Sequence, residues 1–162
     1  MALVDRSLNE PGDLVAGEAF EVVYARLRDP MRRLAFVLVG DLDVADDLVQ
    51  DAFTRLYRHR RKVERVDAYL RSAVINACRN HHRSTAVRRR PVAPVASATA
   101  EPDDLRDAIE RLPYRQRAVV VLRFYEGLSG RETADVLRLP EGTVKSTLHR
   151  ALAELRRRTA GE

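Results

Sequence analysis

An all-α fold, built as two small helical domains joined by a flexible linker, is what this sequence predicts, on three observations. Apolar residues recur at helical spacing through every patterned stretch, and no alternating run reads as a strand. Residues 84–103, STAVRRRPVAPVASATAEPD, hold three prolines among small residues without helical period, the composition of an extended linker. The 162 residues are enough for two modest cores. The expected divisions are a tail over 1–12, a first domain over 13–83, the linker over 84–103, a second domain over 104–158 and a tail over 159–162.

In the first domain a helix is expected from Asp13 to Asp29, with Phe20, Val23, Tyr24 and Leu27 on one side, ending at Pro30. A second runs from Met31 to Val39 with Leu34, Ala35, Leu38 and Val39 inward, and Gly40 as its stop. Asp43 is the expected cap of a third, whose Ala45, Leu48, Val49, Ala52, Phe53, Leu56 and Tyr57 share a face. Its outer face opens with Asp46, Asp47, Gln50 and Asp51. Acidic groups there complement the helix dipole, which explains them without any partner; docking of a protein is an added reading. A basic loop, His59 to Asp67, includes Arg60, Arg61, Lys62 and Arg65. The fourth helix, Asp67 to Arg83, turns Tyr69, Leu70, Ala73, Val74, Ala77 and Cys78 inward and presents Arg71, Asn76, Arg79, Asn80, His82 and Arg83. Guanidinium, carboxamide and imidazole groups in a basic field suit the phosphates and bases of an unpaired strand. A solvated basic helix fits the same pattern.

The second domain carries the most specific feature. Ser129 with Glu132 three residues on has the capping-box pattern, and Ala134 and Leu137 supply a small buried face. A turn follows at Arg138, Leu139 and Pro140, because Pro140 cannot continue the helix and biases Leu139 out of it. In the next helix Val144, Leu148, Ala151, Leu152 and Leu155 form one apolar stripe. The other side offers Glu141, Gly142, Thr143, Lys145, Ser146, His149 and Arg150, polar and cationic groups near a helix N-terminus, as a helix-turn-helix needs in a DNA groove.

Charge is unevenly spread. Residues 1–52 hold 5 basic and 11 acidic side chains, residues 53–90 hold 12 and 2, and residues 91–162 hold 12 and 11, within a net +5. The middle therefore carries the positive field, which favours a polyanionic partner, and the acidic start suits a different surface. Cys78 is the single cysteine, so an intrachain disulfide is impossible, and on the apolar side of its helix it reads as an inert thiol in a reducing cytoplasm. His59, His81, His82 and His149 have no ligand spacing, so neither a metal nor a cofactor is expected. The opening MALVDRSLNEPGD has neither a basic leader nor an apolar run, and no stretch reaches the ~18 apolar residues of a membrane span. No nucleophile, carboxylate pair or metal constellation argues for an enzyme.

The stretch DVADDLVQDAFTRLYRHRRKVERVDAYLRSAVINACRNHHR (Asp43 to Arg83), then a Pro/Ala linker, then LRDAIERLPYRQRAVVVLRFYEGLSGRETADVLRLPEGTVKSTLHRALAELRRR (Leu105 to Arg158), resembles the bacterial extracytoplasmic-function sigma factors of the sigma-70 family. The likeness runs from about Phe20 to Arg158, with two independent motifs in order, and the 27 arginines against two lysines fit the short members of high-GC actinobacteria. The resemblance implies an alternative sigma factor that directs core RNA polymerase to promoters and supports their opening. Asp46, Asp47, Gln50 and Asp51 would then dock on the beta-prime clamp helices. The loop with Arg60, Arg61, Lys62 and Arg65, and the helix face with Asn76, Arg79, Asn80 and Arg83, would hold the melted non-template strand of the minus 10 element. The helix from Glu141 would read the minus 35 element, and the helices before it would meet the beta flap. An anti-sigma factor is a further implied partner; no membrane contact is. Two departures stand out: Tyr69 where many members carry tryptophan, and Arg138 where a glycine is usual near the turn. The alternative is a conventional helix-turn-helix regulator that binds duplex DNA and is no polymerase subunit. Apolar faces on both domains also permit a compact form in which they fold against each other.

Overall fold

The computed structural model describes residues 14–87 and 104–160. The expected tail over 1–12 and linker residues 88–103 lie outside them. Helices α1 (Phe20–Val39), α2 (Leu42–His59) and α3 (Val66–Val87) pack on one another as a three-helix unit. A small antiparallel hairpin precedes it: β1 (Leu14–Val15) pairs with β2 (Glu18–Ala19), with Leu14 opposite Ala19. The second unit comprises α4 (Asp104–Glu110), α5 (Tyr114–Val120) running into a π-helical segment Val121–Tyr125, α6 (Gly130–Leu137) and α7 (Glu141–Thr159).

Four expectations need correction. The hairpin occupies residues 14–19, where helix was expected, so strand is not wholly absent. Pro30 does not end a helix: α1 continues through it to Val39. An internal proline forfeits one backbone bond, yet Leu27, Met31, Leu34 and Ala35 on either side of it are all buried, and that continuous apolar stripe outweighs the loss. The cap of α2 is Asp41, whose carboxylate accepts from the Val44 N–H at 3.0 Å, and Asp43 sits in the first turn beside the dipole. Finally, α3 extends to Val87, past the expected boundary at Arg83; the Ser84 and Thr85 hydroxyls donate back to the carbonyls of His81 and His82.

Other features agree with the sequence. Gly40 ends α1 in the left-handed region, φ 76°, and its N–H bonds to the Phe36 carbonyl. Phe20, Tyr24, Phe53 and Tyr57 form an aromatic cluster between α1 and α2, with Tyr24 and Phe53 centroids 4.8 Å apart and Phe20 and Tyr57 5.1 Å. Edge-to-face pairs of this kind add about 0.5–1.5 kcal/mol each beyond burial. The core then continues across the two units: Tyr114, Ala118, Val119, Leu122 and Leu137 pack into the same buried cluster as Leu38, Leu70, Val74 and Ile75. A smaller cluster of Ala108, Leu112, Val120, Ala151 and Leu155 ties α4 to α7.

Candidate nucleic-acid interface

The helix-turn-helix is assembled by local rules. Ser129 Oγ accepts from the Glu132 N–H at 3.1 Å, and the Glu132 carboxylate accepts from the Ser129 N–H at 2.8 Å, closing the capping box and fixing the start of α6. Those bonds to the charged form hold the Glu132 carboxyl below its ordinary range. At the turn Arg138 takes φ 53° and ψ 48°, a left-handed conformation in a residue with a Cβ, while Leu139 N–H returns to the Ala134 carbonyl at 3.0 Å. Pro140 then sits at the N-cap of α7.

Val144, Thr147, Ala151 and Leu155 bury one side of α7, with Leu148 and Leu152 half-buried. On the other side Glu141, Gly142, Lys145, Ser146, His149 and Arg150 are exposed, and Thr143 is half-buried. Gly142, Lys145, Ser146, His149 and Arg150 stand three and four residues apart, so they form a single stripe. Ser146 Oγ donates to the Thr143 carbonyl at 3.1 Å, and its hydroxyl oxygen can still accept. The positive end of the helix dipole reinforces Lys145.

A second polar face lies on α3, where Asn76, Arg79, Asn80 and Arg83 fall on one side at helical spacing. Asn80 and Arg83 are exposed, whereas Asn76 and Arg79 are half-buried, and an Arg79 Nη donates to Asn76 Oδ1 at 2.8 Å. In the preceding loop Arg61, Lys62 and Arg65 are exposed. Arg60 folds back: its Nη1 donates to the Tyr57 carbonyl at 2.6 Å and its guanidinium lies 4.0 Å above the Tyr57 ring. Tyr69, expected inward, is half-buried against the core.

The acidic face of α2 is not uniform. Asp47, Gln50 and Asp51 are exposed, and Gln50 Oε1 accepts from the Tyr24 hydroxyl at 3.3 Å. Asp46 instead accepts from Arg32 Nε at 2.6 Å, and this bond raises the Arg32 guanidinium pKa further. Cys78 is buried among apolar groups, which push its thiol up to about 12, so it stays protonated. Among the described residues no cluster of histidine, cysteine and carboxylate side chains could hold a metal ion, and no helix is long and apolar enough to cross a membrane.

Local periodicity missed the residues that join the two units. Ile75 is 1% exposed, although it falls outside the apolar stripe read from the sequence. An isoleucine beside Asn76 and Arg79 on a charged face was the available signal.

Two family models match this chain. A family model described as Sigma-70 region 2 matches residues 23–88, and one described as Sigma-70, region 4 matches residues 103–155. The chain is 41% identical over 153 residues to the RNA polymerase sigma-E factor of Streptomyces coelicolor, covering 86% of each chain. It is 37% identical to the ECF RNA polymerase sigma factor SigM of Mycobacterium tuberculosis, covering 88% of this chain and 79% of that one. Its fold is similar to that of the sigma factor RpoE of Bartonella quintana, solved in complex with the anti-sigma factor NepR: TM-score 0.70 at 21% identity, covering 88% of this chain and 98% of that one.

Proposed function

Because the chain belongs to the extracytoplasmic-function sigma factors of the sigma-70 family, we propose a division of its surface among three tasks in transcription initiation. The exposed stripe of α7, with Lys145, Ser146, His149 and Arg150 at its centre and Glu141, Gly142 and Thr143 at its start, reads the minus 35 element in duplex DNA. Arg61, Lys62 and Arg65 of the loop, with Arg60 beside them, and Asn76, Arg79, Asn80 and Arg83 of α3, hold the melted minus 10 strand. Asp47, Gln50 and Asp51 on α2 dock on the beta-prime clamp helices of core RNA polymerase; Asp46 supports that face through Arg32. The domains divide between Val87 and Asp104. Nucleotidyl transfer belongs to the polymerase, so the chain works as a cytoplasmic specificity subunit, and an anti-sigma factor is a fitting regulator.

The observation that carries the reading is the α7 stripe. Its polar and cationic groups face outward from a capped helix-turn-helix, in a chain whose other half bears a separate basic face. Sorting contacts into duplex base reading and single-strand capture then follows from the chemistry of each face. Purified chain should form a one-to-one complex with core polymerase and make promoter binding depend on that complex. Sequence-specific duplex binding with no association with core would support the conventional regulator instead.

A further inference from the structure

A cleft of about 240 Å³ opens where α3 meets α5 and the turn after α6. Arg79 and Arg83 line it from α3, one helical turn apart, and Arg115 lines it from the start of α5. None of the described residues that line it is acidic. The remaining wall is apolar and aromatic. Leu137 and Leu139 contribute to it, and the Tyr114 ring is fixed there by its hydroxyl, which donates to the Ile75 carbonyl at 3.0 Å in a buried bond. His82 stacks on that ring, with 5.2 Å between centroids and 24° between planes.

The cations of this cleft lack anions. Arg83 and Arg115 are exposed, and among the described residues no carboxylate pairs with either. Arg79 donates from one Nη to Asn76 Oδ1 at 2.8 Å, while its Nε is buried without a partner. A guanidinium nitrogen that has lost water and gained no acceptor is costly, and a phosphate oxygen would satisfy it. Burial, with the positive charges of Arg117 and His81, holds the His82 imidazole below its ordinary range, so near neutral pH it offers an uncharged ring rather than a fourth cation. The cleft thus combines a positive rim, which concentrates anions, with flat apolar surface on which a planar ring stacks. A volume just under the ~300 Å³ at which drug-sized pockets begin leaves room for one small molecule.

We infer that the cleft binds a mononucleotide, with its phosphate held by Arg79, Arg83 and Arg115 and its base packed on Leu137, Leu139 and the paired rings of Tyr114 and His82. Phosphate supplies oxygens that a guanidinium fork meets two at a time, and a purine supplies the planar body that a bare anion lacks. The α7 stripe has no part in the site, so the inference goes beyond promoter reading and does not depend on it. Arg79 and Arg83 also belong to the α3 face assigned to the melted strand; Arg115, Leu137 and Leu139 do not, and they give the site residues of its own.

The test titrates AMP into the full chain by calorimetry, with inorganic phosphate and adenosine as its two halves. AMP should bind saturably, and each half roughly 10-fold or more weakly. Arg115→Ala should weaken AMP binding roughly 10-fold, the loss expected of one charge-assisted hydrogen bond, with the melting temperature unchanged because Arg115 is exposed. Arg156→Ala removes the same charge from the exposed last turn of α7 and should leave AMP binding unchanged. Photolabelling of the unaltered chain with azido-AMP locates the site without any substitution, and peptides holding His82 or Tyr114 should carry the label. Absence of saturable AMP binding, equal losses in the two arginine variants, or label confined to other peptides would overturn the inference. Inorganic phosphate binding as tightly as AMP would overturn the nucleotide assignment, because the apolar wall would then contribute nothing. No polymerase enters these measurements, so failure of the sigma factor reading would appear separately, in core binding.

Discussion

The Tyr114 hydroxyl and the Ile75 carbonyl, 39 residues apart in sequence, share a buried 3.0 Å hydrogen bond that joins α5 to α3. Removing the hydroxyl leaves a buried carbonyl without this partner. Tyr114→Phe is expected to lower unfolding stability by about 1–2 kcal/mol, as measured by the denaturant midpoint. No change would mean that this hydrogen bond contributes nothing to the stability of the free chain.

The turn of the helix-turn-helix holds Arg138 in a left-handed conformation that L-residues with a Cβ adopt at a cost. Arg138→Gly removes that cost and is expected to stabilise the chain by about 0.5–1 kcal/mol, read as a higher melting temperature. A loss of stability would show that the Arg138 side chain makes a compensating contact.

The capping box makes a prediction in pH. Glu132 titrates below its ordinary range in the folded chain, so its contribution is fully present above the unfolded glutamate pKa and is lost as pH falls through the folded value. Ser129→Ala should cost about 1 kcal/mol near neutral pH, and Glu132→Gln should flatten the acid limb of the stability profile. An unaltered acid limb in Glu132→Gln would remove this role.

On α2 the two neighbouring aspartates should behave differently. Asp47→Ala is expected to weaken core polymerase binding with stability unchanged, because Asp47 is exposed. Asp46→Ala also breaks the pair with Arg32, but both side chains are more than one-third exposed, so its stability cost should be small. A competition assay with another sigma factor checks the first and thermal unfolding the second. Equal core binding by Asp47→Ala and the unaltered chain would move the docking face elsewhere.

How far the sequence could be read depended on the range of the interaction. The capping box at Ser129 and Glu132, the break at Pro140 and the stop at Gly40 are decided within a few residues, and each appears in the structure as expected. Pro30 misled because a proline's local cost is visible in sequence, while the buried stripe of Leu27, Met31 and Leu34 that overrides it depends on packing. Asp43 is the cap that the sequence predicts for α2 and Asp41 is the one the structure has; aspartate caps well at either position, so the pattern two residues apart does not locate it. The exposed α7 stripe was legible from period; the half-burial of Asn76 and Arg79 was not, because α5 and α6 cover that side of α3 from far along the chain.

Within the α7 stripe, Lys145→Ala or Arg150→Ala should weaken promoter duplex binding by about 1–3 kcal/mol where the lost contact is to a base edge. If the contact is to phosphate, the salt dependence of binding should fall by about one unit in slope. Unchanged affinity and unchanged slope in both variants would remove α7 from DNA recognition.

The central claim, that this chain gives RNA polymerase its promoter choice, is tested most directly by transcription in vitro. Core polymerase would be supplied with fragmented genomic DNA, with and without the chain, and RNA start sites mapped. The account predicts new starts that share two upstream elements at a fixed spacing, lost when Lys145 and Arg150 are replaced. Core polymerase that is active with another sigma factor but yields no new starts with this chain would contradict it.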